Sequence, residues 1–489
     1  MHTQKLQTIS RFLFILLLTS GFSACSGKDK SKPDVPPDPP GTKKVQVYVT
    51  KGDKSALLAK QGEISFIQTA PTNLVVLKID TSNTFQEVEG YGAALTGSSA
   101  WLMNRKLSPT ARLALLKELF DPQEGIGISY LRLSMGASDF SLSDFTYNDL
   151  PAGQSDFDLN QFSLSQDRDD VIPMLKEILK VSPDIKLMGS PWSPPAWMKT
   201  NSNLRGGKLR TDCYEVYADY FVRYIQAMES EGITIDAITI QNEPLHFTAN
   251  YPCMEMQAPV QLNFIKNNLG PTFAAEGIKT KIITYDHNWD VPQYPISILD
   301  DPDAKQYVSG SAFHAYAGDV SAMSLVHDAH PDKDLYFTEI SGGAWATDFG
   351  GNLMWNMRNI FIGTARNWSK TALLWNLALD ESYGPQNNGC NNCRGVITIN
   401  SGSGEITRNE EYYSIAHFSK FVRPGAVRIA GNLPPSGGDI GTVCFRNTDG
   451  TMVMIAANYG NRALEFAVDD GTRIFKLNLA ATSVATAVW

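Results

Sequence analysis

Eight short apolar runs separated by long polar-faced stretches, all between residues 88 and 421, restrict this chain to very few folds. The runs are Glu89–Leu95, Ile128–Leu133, Lys186–Gly189, Ile235–Gln241, Lys281–Tyr285, Gly310–His314, Leu335–Glu339 and Thr371–Trp375. Their length and apolar character suit strands covered on both faces. Helical patterns at 109–120, 168–180, 213–231, 257–269 and 351–366 fall between them. Eight strand–helix units over about 330 residues are the arithmetic of a (β/α)8 TIM barrel with insertions. A doubly wound sheet needs fewer strands and usually a phosphate-binding glycine loop. No GxGxxG fingerprint, P-loop or HExxH motif occurs. The predicted class is therefore α/β, with a catalytic-size barrel over 88–421.

The flanks follow a different rule. Val45–Val49, Ile64–Ile67 and Leu74–Ile79 precede the barrel region. Val427–Ile429, Val443–Phe445, Met452–Ala457, Leu464–Val468 and Ile474–Leu477 follow it with no room for helices. Segments 45–87 and 422–489 are thus expected to build one small β-domain from both chain ends.

Residues 1–24 carry Lys5 and Arg11 ahead of the apolar run Phe12–Leu18. That run is too short to cross a bilayer and reads as a signal peptide. Phe22-Ser23-Ala24-Cys25 resembles a bacterial lipoprotein processing box, which implies lipidation of Cys25. Residues 25–44 are charged and Pro-rich, as in an extended tether. The expectation is an exported lipoprotein anchored to the outer membrane, on its periplasmic or surface face. A net charge of -9 argues against nucleic acid as a partner. The oligomeric state is left open, with a monomer expected. Of six cysteines, Cys390 and Cys393 lie close enough in sequence to bridge, and export permits a disulfide. Two free thiols are the alternative there. No second cluster of thiolates or histidines accompanies them, so neither a metal nor a cofactor is expected.

The chemistry is sought at the C-terminal ends of the barrel strands, where side chains enter the catalytic face. The fourth run ends in Gln241-Asn242-Glu243-Pro244 and the seventh in Thr338-Glu339. Two carboxylates facing each other across a barrel mouth are the minimum kit for glycosidic bond hydrolysis. A separation of about 5–5.5 Å would retain configuration, and about 6.5–9.5 Å would invert it. Taken singly, each Glu could equally be a surface charge or an ion-pair partner. Trp192, Tyr316, Trp345 and Trp375 follow other strands and offer faces on which a sugar ring packs. Asn242 can hold a ring hydroxyl. Arg132 can keep a nearby carboxylate ionised. Asp139 follows the same strand as Arg132, and His314 can bond a hydroxyl or a Glu. The charge of Glu339 is expected to raise the pKa of Glu243.

These segments together resemble glycoside hydrolase family 30. The resemblance spans about 45–489. It is carried by Glu89-Gly-Tyr-Gly-Ala93, Tyr130-Leu-Arg-Leu-Ser134, Ser138-Asp-Phe140, Ser190-Pro-Trp-Ser-Pro-Pro-Ala-Trp-Met-Lys199, Gln241-Asn-Glu-Pro244, Phe337-Thr-Glu339 and Trp375-Asn-Leu-Ala-Leu379. It implies a retaining mechanism, with Glu243 as acid/base and Glu339 as nucleophile. Asp139, Trp192, Asn242 and Trp375 would touch the sugar. It also implies a β-sandwich beside the barrel. The segment Gly384–Gly395 departs from the glucosylceramidase pattern and is more similar to the β-1,6-glucanase branch. The implied activity is endo-hydrolysis of β-1,6-glucan. A glucosylceramidase or an exo-β-glucosidase is the alternative within the family, and a non-catalytic glycan-binding lipoprotein the alternative outside it.

Overall fold

The computed structural model describes residues 44–431 and 438–489. The signal peptide, Cys25 and nearly all of the tether lie outside the described residues.

Eight parallel strands close into a barrel: β1 (Gly90–Ala94), β2 (Tyr130–Met135), β3 (Lys186–Pro191), β4 (Ala237–Thr239), β5 (Lys281–Asn288), β6 (Val308–His314), β7 (Asp334–Glu339) and β8 (Ser369–Asn376). Each pairs with its sequence neighbour, and β8 closes on β1 through Thr371↔Gly90 and Leu374↔Ala93. All eight expected strands form. The period-2 geometry of a strand decides what fills the barrel. Tyr130, Met188, Ala237, Ile283, Ala312, Tyr336 and Leu373 point inward and form an apolar plug. Two residues further along β2, β3, β4 and β7 the inward positions are Arg132, Ser190, Thr239 and Thr338, all buried. Sequence thus places a polar layer directly above an apolar one, at the end of the barrel where the strands finish.

The chain ends form a nine-stranded sheet. Its order runs Ala59–Lys60, Gln46–Lys51, Ser483–Val488, Met452–Asn458, Ile440–Arg446, Val427–Gly431, Val75–Glu87, Leu464–Asp469, Ile474–Leu479. The thirteen-residue strand Val75–Glu87 serves both halves. Its start pairs parallel with Leu464–Asp469, and its later part pairs antiparallel with Val427–Gly431. The halves fold face to face. Val47, Met454 and Ala487 from one share a core with Leu77, Phe466 and Phe475 from the other. Two expectations change in detail. Ile64 and Ile67 make only isolated bridges, and the last strand, Ser483–Val488, is an addition. Its Ala- and Thr-containing sequence, SVATAV, has too little apolar bulk to signal a strand.

Helix Glu410–Ser419 lies between barrel and sandwich and carries His417, which is fully buried. One ring nitrogen bonds Thr486 Oγ1 at 2.8 Å and the other Thr50 Oγ1 at 2.9 Å. One side chain therefore ties the two chain ends to the barrel's outer helices. Burial without a charged partner pushes its pKa down to about 3.

Candidate active site

At the mouth of the barrel, Arg132 rises from the polar layer of β2 with no exposed surface. Its Nη1 donates to Glu339 Oε2 at 2.5 Å. Its Nη2 donates to Asp286 Oδ2 at 2.8 Å, Asn242 Oδ1 at 2.7 Å and Ser190 Oγ at 3.1 Å. The guanidinium also lies 4.9 Å from the Trp192 ring and 5.5 Å from the Trp375 ring. A planar, permanently charged fork is the one side chain that can hold two carboxylates and an amide in fixed directions.

Asp286, near the end of β5, is the hub that sequence reasoning passed over. It is fully buried. Its Oδ2 accepts from Arg132, from Ser190 Oγ at 2.7 Å and from Thr239 Oγ1 at 2.7 Å. Its Oδ1 accepts from Thr338 Oγ1 at 2.7 Å and from His314 Nε2 at 3.0 Å. Burial acts to raise its pKa, but Arg132, His314 and these donors hold it well below the usual carboxylate range. The strand-end rule that found Glu243 would also have found Asp286, one residue beyond the expected fifth strand.

His314 ends β6 and faces carboxylates on both sides. Nε2 meets Asp286, and Nδ1 meets Glu243 Oε1 at 3.1 Å. Two acceptors on one imidazole call for both nitrogens to be donors. Burial works against that charge, yet the negative Glu339, Asp286 and Glu243 lift the pKa of His314 to about 9.

The two glutamates converge as expected. Donor atoms of Glu243, His314 and Glu339 lie within 4.8 Å of one another. That agrees with the spacing of about 5–5.5 Å in retaining enzymes, not with about 6.5–9.5 Å. Tyr316 donates its hydroxyl to Glu339 Oε1 at 3.0 Å. Glu243 takes a left-handed backbone conformation, φ 46°, as do Tyr285 and Asp286 at 72° and 68°. Three non-glycine residues in that region at one site are unusual and concentrate strain there. The expected rise of Glu243 gives way to a net fall. Burial does raise Glu243, but the imidazolium of His314 outweighs it, and the net shift is downward. Glu339 moves up, through burial first, while His314 and Arg132 restrain it.

The trio of Glu243, His314 and Glu339 is also the one group among the described residues whose donors could surround a cation. A divalent ion there would meet the buried Arg132 guanidinium already bonded to Glu339, so the donor set fits protein cations better than a metal.

Trp192 and Trp375 are both buried and stack with centroids 5.1 Å apart. Asn242, its Oδ1 fixed by Arg132, keeps its amide N–H groups for a ligand. Asp139 faces the same space. Burial first, then Glu339 and Glu243, push its carboxyl well above the usual range. Trp345 alone stands apart, 55% exposed beside a neighbouring cavity.

The loop after β8 fixes one side of this pocket. Cys390 and Cys393 are joined in a disulfide. Asn387 donates its backbone N–H to Asp139 O at 2.7 Å and its Nδ2 to Asp144 Oδ1 at 2.6 Å. Cys393–Arg394 pairs with Gly342–Gly343 of the loop after β7. One braced segment thus grips the loops that follow β2 and β7.

Comparison with known proteins agrees with this geometry. The glycosyl hydrolase family 30 TIM-barrel domain matches residues 88–422, and that family's beta sandwich domain matches residues 425–487. The chain is 36% identical to the endo-1,6-β-D-glucanase of Neurospora crassa, over 77% of this chain and 80% of that protein. It is 31% identical to the putative glucosylceramidase 4 of Caenorhabditis elegans, over 91% of this chain and 89% of that one. Among solved structures, the endo-β1,6-glucanase BT3312 superposes with a TM-score of 0.85 at 37% identity, covering 91% of this chain and 99% of that one. The chain belongs to glycosyl hydrolase family 30, a family of retaining glycosidases, and is a glycoside hydrolase.

Proposed function

We propose that the chain cleaves β-1,6-glucan internally by double displacement, with Glu339 as nucleophile and Glu243 as acid and then base. The observation that carries the chemistry is the convergence of those two carboxylates beside Arg132. Similarity to endo-1,6-β-glucanases over more than three quarters of the chain supports the substrate.

The steps follow from the hydrogen bonds. The Arg132 and Tyr316 bonds orient Glu339 for attack on the anomeric carbon, and the Arg132 charge opposes its protonation. The Glu243–His314 pair holds one proton on the bond between Oε1 and Nδ1. As the glycosidic bond breaks, Glu243 delivers that proton to the leaving oxygen. His314 then rests neutral, its Nε2–H kept on Asp286. In the second step Glu243 takes a proton from water, the water oxygen attacks the anomeric carbon, and Glu339 leaves as carboxylate. The pair regains its proton and configuration is retained. Asn242, Asp139 and the Trp375 ring would hold the sugar while this happens.

Attachment to a membrane through Cys25, on an exported chain, belongs to the same reading. The charged, apolar and small-residue order of residues 1–25 supports it.

A product time course on purified β-1,6-glucan tests the substrate. Oligosaccharides of mixed length at early times support internal cleavage. Glucose alone from the start points to an exo-glucosidase, and turnover of glucosylceramide without glucan overturns the substrate class. A 2-fluoro-glycoside should label Glu339, and a label on Glu243 would exchange the two roles.

A further inference from the structure

Lys199, in the loop after β3, is among the largest side chains that the fold buries completely, with 1% of its surface exposed. Lysine is seldom buried so deeply unless an acid pairs with it. Here its partners are neutral. Nζ donates to Ser193 Oγ at 2.9 Å, to Leu204 O at 2.7 Å and to Cys253 O at 2.7 Å. An ammonium has three donors and no acceptor, so these three oxygens saturate it. Burial lowers its pKa to about 7, against the influence of Cys253. An apolar side chain of the same volume would fill the space without that desolvation. What the ammonium adds is direction, because it ties the loop after β3 to the loop after β4.

Cys253 completes the node. Its N–H donates to the same Leu204 carbonyl at 3.0 Å. Its Sγ accepts from Gly206 N at 3.2 Å and from Thr248 N at 3.1 Å, and the thiol donates to Thr248 O at 3.2 Å.

The loop held in this way starts at Glu243. Residues 244–256 follow that glutamate directly and close on themselves, the Met256 N–H donating to Pro244 O at 2.9 Å. The His246 N–H donates to the Glu243 carbonyl at 2.8 Å. His246 Nε2 lies 2.9 Å from the hydroxyl of Tyr251. Tyr251, two residues before Cys253, packs against the cluster that contains Trp192 and Trp375. Glu243 itself is held at φ 46°. Such a backbone persists only where its surroundings over-determine it. On the side before Glu243 the barrel does this, since Asn242 N–H bonds Pro191 O at 2.8 Å and Glu243 N–H bonds Asp286 O at 3.0 Å. On the side after it the restraint is the loop, and Lys199 fixes the far end of that loop.

We propose that Lys199 is a positioning residue for Glu243. By pinning Cys253 it fixes the loop that keeps the Glu243 backbone left-handed, and so aims the carboxyl at the leaving oxygen. This rests on the reading of Glu243 as acid/base.

Lys199→Met removes the three bonds at nearly constant volume. In the full protein, kcat/KM is compared on phenyl β-glucoside, whose leaving group needs a proton, and on 2,4-dinitrophenyl β-glucoside, whose leaving group does not. Both are scaled to the sites that a 2-fluoro-glycoside labels, which removes misfolded protein from the comparison. The variant should lose about ten- to 100-fold on the phenyl substrate, part of the roughly 100- to 10,000-fold that a positioned acid supplies, and less than about threefold on the dinitrophenyl one. Equal losses on the two, or no loss on the phenyl substrate, overturn the proposal. Cys253→Ala breaks the same node from its other side and should show the same bias, while Cys253→Ser, which keeps a donor and an acceptor, should restore the rate. If Lys199→Met does not fold, that pair decides, and an unbiased loss in Cys253→Ala refutes the positioning role. Glu243→Ala separates the two readings. Bias there but not in Lys199→Met sinks the positioning role alone, and no bias in Glu243→Ala overturns the acid/base reading and this proposal together.

Discussion

Acid should loosen the junction between barrel and sandwich through a single ring, that of His417. The imidazole is fully buried, accepts or donates only to Thr50 and Thr486, and has a pKa near 3. In an unfolded chain the value is about 6.5. Because the folded pKa is depressed, the neutral ring is fully accommodated above about pH 6.5, and stability is lost as the pH falls toward 3. At pH 5 the unfolded chain binds a proton that the folded one does not. That difference amounts to about 2 kcal/mol, from 1.5 pH units at about 1.36 kcal/mol each. His417→Gln keeps a donor and an acceptor for the two threonines but cannot titrate. Denaturant unfolding followed by tryptophan fluorescence, at pH 7.5 and pH 5, gives the comparison. The variant is expected to be less stable at pH 7.5 through imperfect packing, yet to lose about 2 kcal/mol less than the parent on acidification. Equal losses in both proteins would show that other groups carry the acid sensitivity and that the His417 argument is wrong.

Arg132→Gln should lower kcat/KM by about 100- to 1,000-fold, the scale of losing one fixed charge-stabilising donor. It should also move the acid limb of the pH profile upward, because a cation that opposes protonation of Glu339 is gone. Asp286→Asn removes one of the charges that hold the His314 pKa near 9. The alkaline limb should therefore shift to lower pH, and an NMR titration of the imidazole should show the same fall. An unchanged titration would remove Asp286 from the proton chain. Peptide mapping under non-reducing conditions should find Cys390 joined to Cys393. Cys213, Cys253 and Cys444, all buried, should react with a thiol reagent only after denaturation.

The parts of this molecule that repeat were readable, and the parts that depend on closure were not. Eight covered strands announce themselves by runs such as Lys281–Tyr285, because burial on both faces leaves no polar alternation. Glu243 and Glu339 are legible because a strand-end rule applies to each one separately. Asp286 obeys that rule too, but it lies one residue past the run Lys281–Tyr285, where the apolar pattern ends. Its importance arises only when β2, β3, β4, β6 and β7 bring donors around it. Similarly, the sequence offers Trp192 and Trp375 as separate faces for a sugar ring, and only the closed barrel shows that they stack on each other. The order of the glutamate pKa values depends on where His314 points, which no spacing in the sequence encodes.

The left-handed backbone at Glu243 has a consequence for how such a chain can change over time. A non-glycine residue held there costs about 1–3 kcal/mol, and glycine would relieve much of it. At this one position, then, the replacement that most eases the main chain is one that deletes the acid/base. Selection for thermal robustness alone would drift toward an inert barrel, and only selection on turnover holds the glutamate in place. A library screened for stability without an activity screen should accumulate Glu243→Gly or Glu243→Asn among its survivors.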